Sequence, residues 1–321
     1  MTMARAFWAV APGVGEIRAE ILPAPTADHV LVKTIATGVS RGTEALVFAG
    51  RVPKSQYTAM RAPMMGGDFP FPVKYGYCAV GALVGGGRVF VLHPHQDVFH
   101  AHVSMCVPIP DSVPDHRAVL AANMETAVNI VWDAAPLVGE RILAIGAGVV
   151  GLLTASLLAR IPGACVTVVD TDGSRAPLAE RFGCRFAAPD AAPADQELIV
   201  HTSASEAGLR LALDRAAFEG RIVEASWYGD RAPSVPLGES FHARRLRLIG
   251  SQVGAIAPPM RGRRTYGQRL AQALDLLADP AYDALLQGPT PFESLPSAMP
   301  WILAPGGLCH VITYGETACS A

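Results

Sequence analysis

At about 100–200 residues per domain, a chain of 321 residues reads as about two domains, each with its own core. Half of the residues are apolar, enough to bury both cores. The formal net charge of −2 provides no field to draw nucleic acid or an anionic membrane, so the expected partner is a small molecule.

The opening residues, Met1-Thr2-Met3-Ala4-Arg5-Ala6-Phe7-Trp8, lack the apolar stretch and small-residue cleavage site of a secretory signal, and a cytoplasmic protein is expected. Residues 4 to about 116 read as all-β. Short apolar or alternating runs such as Val30-Leu31-Val32-Lys33-Thr34-Ile35 and Arg88-Val89-Phe90-Val91-Leu92 are separated by Pro- and Gly-rich turns, the pattern of a small barrel. From about residue 117 helices alternate with apolar strands: Leu198-Ile199-Val200-His201, a helix at 206–217, then Arg221-Ile222-Val223-Glu224-Ala225 and Arg247-Leu248-Ile249-Gly250-Ser251. Such alternation predicts parallel strands joined by crossover helices. A Pro- and Arg-rich loop at 257–264, an amphipathic helix at 266–278 and the strand Cys309-His310-Val311-Ile312-Thr313-Tyr314 close the chain. The predicted fold class is α/β: a doubly wound parallel sheet at 117–256 inserted into a barrel-like, mostly β domain made of 1–116 and 257–321. Cys78, Cys106, Cys165, Cys184, Cys309 and Cys319 are scattered without a C-x-x-C pair and read as reduced thiols.

The most specific signal lies at 141–170. The strand Ile142-Leu143-Ala144-Ile145 leads into Gly146-Ala147-Gly148-Val149-Val150-Gly151, a helix follows, and the strand Val166-Thr167-Val168-Val169 ends on Asp170. In a dinucleotide-binding Rossmann unit the first glycine permits the turn, the second lets backbone approach a pyrophosphate, and the third lets the helix pack on the sheet. The pyrophosphate would rest on the amides at the helix N-terminus, around Val149 and Val150. Asp170, at about the 20-residue spacing of the ribose contact, would repel a 2′-phosphate and favour NAD over NADP; Arg175, close behind, weakens that preference. A competing reading is a membrane span, since residues 142–159 carry no charge between Arg141 and Arg160, but the three glycines and the trailing acid argue against it.

With these segments in order, the chain resembles the medium-chain dehydrogenase/reductase superfamily over nearly its whole length. Ser40-Arg41-Gly42-Thr43-Glu44, Val73-Lys74-Tyr75-Gly76-Tyr77, His93-Pro94-His95-Gln96 and Ser226-Trp227-Tyr228-Gly229-Asp230 look like a bacterial subgroup usually labelled zinc-binding alcohol dehydrogenase, more distantly similar to bacteriochlorophyllide dehydrogenases. Where catalytic-zinc members carry cysteine, histidine and glutamate, this chain has Ser40, Tyr77 and Cys78, and the four-cysteine zinc lobe is missing. Glu125 stands where some members place a further acidic ligand. Zinc needs three good N, S or O ligands, so no metal is expected. A site rebuilt from Cys78, Glu125 and His93 or His95 is the alternative, although the two histidines flank a proline and read as local loop formers.

The resemblance implies a homodimer that transfers a hydride between NAD and a secondary alcohol or ketone. Reduction of an activated C=C bond and non-catalytic NAD(H) binding are the alternatives. Without zinc a protein group must polarise the substrate oxygen, and Tyr77 occupies a former ligand position, which favours it. Ser40, Glu125 and Tyr75 are further catalytic candidates. Tyr57 and Lys74 also enter, because a cation beside a tyrosine would lower its pKa. By the same resemblance Arg41 would meet the cofactor pyrophosphate, and Thr202, Ser203, Trp227 and Ser251, in loops after strand C-termini, would line the nicotinamide pocket.

Overall fold

Continuous apolar runs at 141–145, 165–169 and 196–201 suit strands buried on both faces, and they form the middle of a six-stranded, all-parallel sheet. In chain order its strands are Arg141–Ile145, Cys165–Val169, Arg185–Ala187, Gln196–His201, Ala216–Glu224 and Arg247–Gly250, arranged 3-2-1-4-5-6. That is the doubly wound order, in which the chain changes direction between strands one and four and opens a crevice at their carboxyl ends. The computed structural model describes residues 2–315; Met1 and residues 316–321, Cys319 among them, lie outside the described residues. The uncharged run at 142–159 is divided into a strand, a glycine turn and the helix Val149–Leu158, and among the described residues no helix is long and apolar enough to cross a membrane.

Two units pack separately, Asn123–Arg269 and Met1–Ala122 with Leu270–Ala321. The expected boundaries after residues 116 and 256 therefore move to 122 and 269, inside the helices Ala121–Ala134 and Tyr266–Leu276. The physical reason is Arg269. Its fully buried guanidinium donates to Glu125 Oε1 (3.0 Å), Asn129 Oδ1 and the carbonyls of Val253 (2.6 Å) and Ala255, and so holds residues 253–269 to the first helix of the unit Asn123–Arg269, the unit of the parallel sheet.

The second unit has a four-stranded sheet, in the order Val14–Ile21, Met3–Ala11, Val73–Lys74, Gly66–Gly67. Its seven-stranded sheet holds His29–Val39 between Cys309–Thr313 and Ala79–Leu83. Residues 95–97 stitch the first strand into this frame through Phe7 N–H to His95 O and Asp97 N–H to Arg5 O. Arg117 forks onto both oxygens of Asp283 at 2.7 Å, fastening the returning segment and holding that carboxyl below its usual range. The expectation of an all-β first half is corrected above all by the α-helix Arg41–Phe48, with short helical turns at Lys54–Gln56 and Val103–Met105. Gly42 and Thr43 are poor helix formers, but Glu44 reaches back to the Ser40 N–H (2.7 Å) and starts the first turn.

Removing the Arg269 guanidinium would leave Glu125 charged and buried without a partner. Arg269→Ala is expected to cost about 3–5 kcal/mol in denaturant unfolding, and Arg269→Met with Glu125→Leu to recover much of that loss. Equal midpoints for wild type and Arg269→Ala would refute this account of the boundary.

Candidate active site

At the crevice of the parallel sheet the three glycines divide by physical task. Gly146 has φ +106°, and a Cβ there would lie 2.8 Å from Ser203 N. A Cβ on Gly151 would lie 1.9 Å from Gly146 O and 2.7 Å from Thr202 Oγ1. The fold itself forbids side chains at both positions. Gly148 differs: with φ −76° it has an ordinary backbone, it is exposed, and a Cβ would meet nothing within 4 Å. The fold does not need glycine at 148, so the bare backbone there is free for a ligand. Gly148 is also the N-cap of Val149–Leu158, whose first turn has neither a side-chain cap nor an acid, leaving its amides for an anion. A dinucleotide pyrophosphate fits this arrangement.

Thr202 closes the turn from the neighbouring strand. Its N–H donates to Ile145 O (2.9 Å) and its hydroxyl to the carbonyls of Ile145 and Gly146 (both 3.2 Å). The Asp170 carboxylate accepts from Ala147 N–H (2.6 Å) and Asp172 N–H (2.9 Å), which fixes it beside the glycine turn with lone pairs left for a ribose. Arg175 pairs with Asp172 at 3.1 Å. Ser251 Oγ donates to Asp133 (2.6 Å), and Trp227 is half-buried in the loop after Ala216–Glu224.

In the other unit Tyr77 O–H donates to Ser40 Oγ at 2.7 Å, so the two hydroxyls expected where a metal would be held are bonded to each other. Burial, then the neighbouring Tyr75, raises the Tyr77 pKa well above the usual phenol range, and the Ser40 bond offsets only part of that. Tyr75 packs edge-on against Tyr77 at 6.0 Å, and its hydroxyl is pushed up mainly by burial. Lys74 does not lower either tyrosine, as was expected of it; its ammonium is held by Glu20 (2.6 Å) and Gln96 (2.8 Å). Tyr57 packs on Phe69. Arg41 Nε donates to Gly307 O at 3.0 Å.

The two histidines diverge. His93 is local, as expected: it is stacked on Phe99 at 3.6 Å and faces Pro94 O, and burial depresses its pKa to about 3, so it is neutral. His95 is not a local loop former. It is fully buried, with Nε2 2.9 Å from Glu44 Oε2 and Nδ1 2.6 Å from Thr37 Oγ1, and Thr37 in turn meets Tyr314 OH at 3.2 Å. Glu44 thus links His95 to the backbone of Ser40 and braces the turn that presents its hydroxyl. Sequence reasoning gave Glu44, Thr37 and Tyr314 no role.

Glu125 is not placed as a free acid or metal ligand. It lies in the nucleotide unit, its carboxylate bound by Arg269, with burial raising its pKa and Arg269 offsetting that in part. Cys78 is a buried thiol whose pKa is raised by desolvation, and among the described residues no three of His, Cys, Asp and Glu are grouped to hold a metal.

No family model matches the chain. It is 25% identical over 232 residues to an uncharacterised zinc-type alcohol dehydrogenase-like protein of Haemophilus influenzae, a match that covers 68% of this chain. The chain spans about three-fifths (61%) of the length of that curated relative. Among solved structures it superimposes on a protein described as a zinc-binding dehydrogenase from Sinorhizobium meliloti, bound to NADP, with TM-score 0.78 and 18% identity over 98% of this chain and 100% of that one. A protein of Escherichia coli CFT073 described as a short chain alcohol dehydrogenase, complexed with NADH, matches with TM-score 0.79 and 17% identity over the same shares. The chain shares the fold of these dehydrogenases, the architecture that the order of its segments led us to expect.

Proposed function

We propose that the chain is a nicotinamide-dependent oxidoreductase that interconverts a secondary alcohol and its ketone, with a tyrosine hydroxyl rather than a metal polarising the substrate oxygen. The observation that carries this reading is Gly148: bare backbone, with no structural reason to be bare, at an uncapped helix start beside an acid. The relatives bound to NADP and NADH support the cofactor class. When bound, the nicotinamide supplies or accepts the hydride. The glycine turn holds the pyrophosphate, and Asp170 takes the ribose hydroxyls and disfavours a 2′-phosphate; Arg175, held by Asp172, does not relieve that repulsion.

Tyr77 provides the proton. Its raised pKa keeps the phenol protonated at neutral pH, which suits a hydrogen-bond donor to a carbonyl oxygen that becomes the alcohol oxygen. Ser40 Oγ is the acceptor that orients the phenol before substrate arrives. The same donor would polarise an enone carbonyl without surrendering its proton, and reduction of an activated C=C bond is therefore the second reading. Zinc is not required for either.

Gly148→Val is expected to fold with the wild-type melting temperature and to lose NADH affinity in a fluorescence titration, whereas Gly151→Ala destabilises the protein outright because its Cβ meets backbone. Wild-type affinity in folded Gly148→Val would sink the cofactor proposal.

Tyr77→Phe should slow turnover by about 10²–10⁴-fold with cofactor affinity unchanged. If Tyr77→Phe keeps wild-type kcat, the donor lies elsewhere.

Metal analysis should find no stoichiometric zinc, and chelators should leave activity intact, because a serine and a tyrosine hydroxyl are poor zinc ligands at neutral pH. One tightly held zinc per chain, with activity lost on its removal, would overturn this.

A further inference from the structure

Two neighbouring strands of the parallel sheet end in register on a histidine and a glutamate, His201 opposite Glu224. His201 is fully buried. Its Nδ1 lies 2.6 Å from Glu224 Oε2 and its Nε2 lies 2.6 Å from Oγ of Ser203, which is exposed. We propose that Ser203, His201 and Glu224 form a nucleophilic acyl-transfer site that takes a small carboxylic ester. The site lies within residues 123–269, beside the glycine turn where Ser203 was expected to line the nicotinamide pocket, and its chemistry needs no cofactor.

Proton positions follow from the acid. Glu224 accepts Ser226 N–H (2.8 Å) and Tyr228 O–H (3.2 Å) besides the imidazole. Burial alone would raise its pKa, but the His201 and Ser226 bonds more than offset this and hold it below the usual carboxylate range. An ionised carboxylate only accepts, so His201 donates from Nδ1–H. Nε2 is then the free acceptor, and Ser203 O–H donates to it. Acid, imidazole and hydroxyl in this order are the arrangement that activates a serine by general base catalysis.

The surroundings are built around these three groups. A Cβ on Gly208 would lie 2.5 Å from Ser203 Oγ and 2.6 Å from His201 Nε2, so the helix Glu206–Arg215 approaches this closely only because residue 208 is glycine. Ala204 holds φ +51°, a left-handed conformation uncommon without glycine, with its N–H donating to Ser226 Oγ (3.1 Å). Ser203 Oγ also lies 2.9 Å from Oγ of Ser205, which caps the helix by accepting Gly208 N–H (3.0 Å), so the nucleophile is held in place while its residue stays exposed.

In the step itself Ser203 Oγ forms a bond to the ester carbonyl carbon while its proton passes to His201 Nε2. The carbon–alkoxide bond then breaks, and the proton goes to the departing alcohol. Water adds to the acyl-serine, giving its proton to His201, and the acid leaves as Ser203 regains a proton. The Ser205 N–H bonds Ser203 Oγ itself (3.3 Å) rather than a position beside it, which restricts the substrate to esters with a good leaving group rather than amides.

The intact protein is treated with a fluorophosphonate probe, with no cofactor added, and mapped by peptide mass spectrometry. One phosphonyl group on Ser203 is expected, absent from Ser203→Ala and from protein in concentrated urea. Glu224→Gln, which keeps the hydroxyl and the imidazole, should label about 10²-fold or more slower while still folding cooperatively. Folded wild type that takes up no probe, or takes it up elsewhere, overturns the proposal whether or not the variants fold. So does a folded Glu224→Gln that labels at the wild-type rate.

Discussion

Gly151 allows the helix after the glycine turn to lie against the first strand so closely that no side chain fits between it and the carbonyl of Gly146. That approach fixes the position of the helix start. Thr202 can then bond both carbonyls of the turn from the adjacent strand, and Asp170 can reach Ala147 N–H. The crevice, its uncapped amides and its acid all follow from one missing methyl group. Loss of that contact would disturb the nucleotide unit before any ligand enters.

The other unit solves a different problem, holding two hydroxyls in a largely buried place. A phenol and a serine satisfy each other there, and beneath them Glu44 and His95 carry the polar chain on to Thr37 and Tyr314. Burial would penalise any member left unpaired, so the arrangement is stiff because it is fully bonded. Stiffness of that kind lets a single hydroxyl act as a directed donor.

The nucleotide half was legible because its signals are local. Apolar runs, glycines at fixed offsets and a trailing acid lie within some thirty residues, and each answers to backbone geometry that the sequence carries directly. The helix Arg41–Phe48 was hidden by Gly42 and Thr43, since its start depends on a side chain four residues on. His95 with Glu44, and Arg269 with Glu125, are pairs 51 and 144 residues apart, and spacing contains nothing of such contacts. Position in a family pattern suggested Glu125 as a reacting acid, but the residue that neutralises it lies far along the chain. His201 and Glu224 could have been found, because each ends a short apolar run, Leu198-Ile199-Val200 and Ile222-Val223, where another aliphatic residue would be ordinary.

A hydroxyl pair at this place also has a bearing on chemical wear. Thiolates at an open metal site are the groups an oxidant reaches first, because reactivity follows the ionised sulfur. Here Ser40 and Tyr77 offer no sulfur. Cys78 and Cys309, in the same unit, are kept as buried neutral thiols, Cys309 pushed up to about 12 mainly by burial. Peroxide therefore meets phenol, alcohol and two sulfurs with almost no thiolate character, and the proposed proton donor has no oxidation ladder to climb under conditions that would strip or oxidise a cysteine-bound metal.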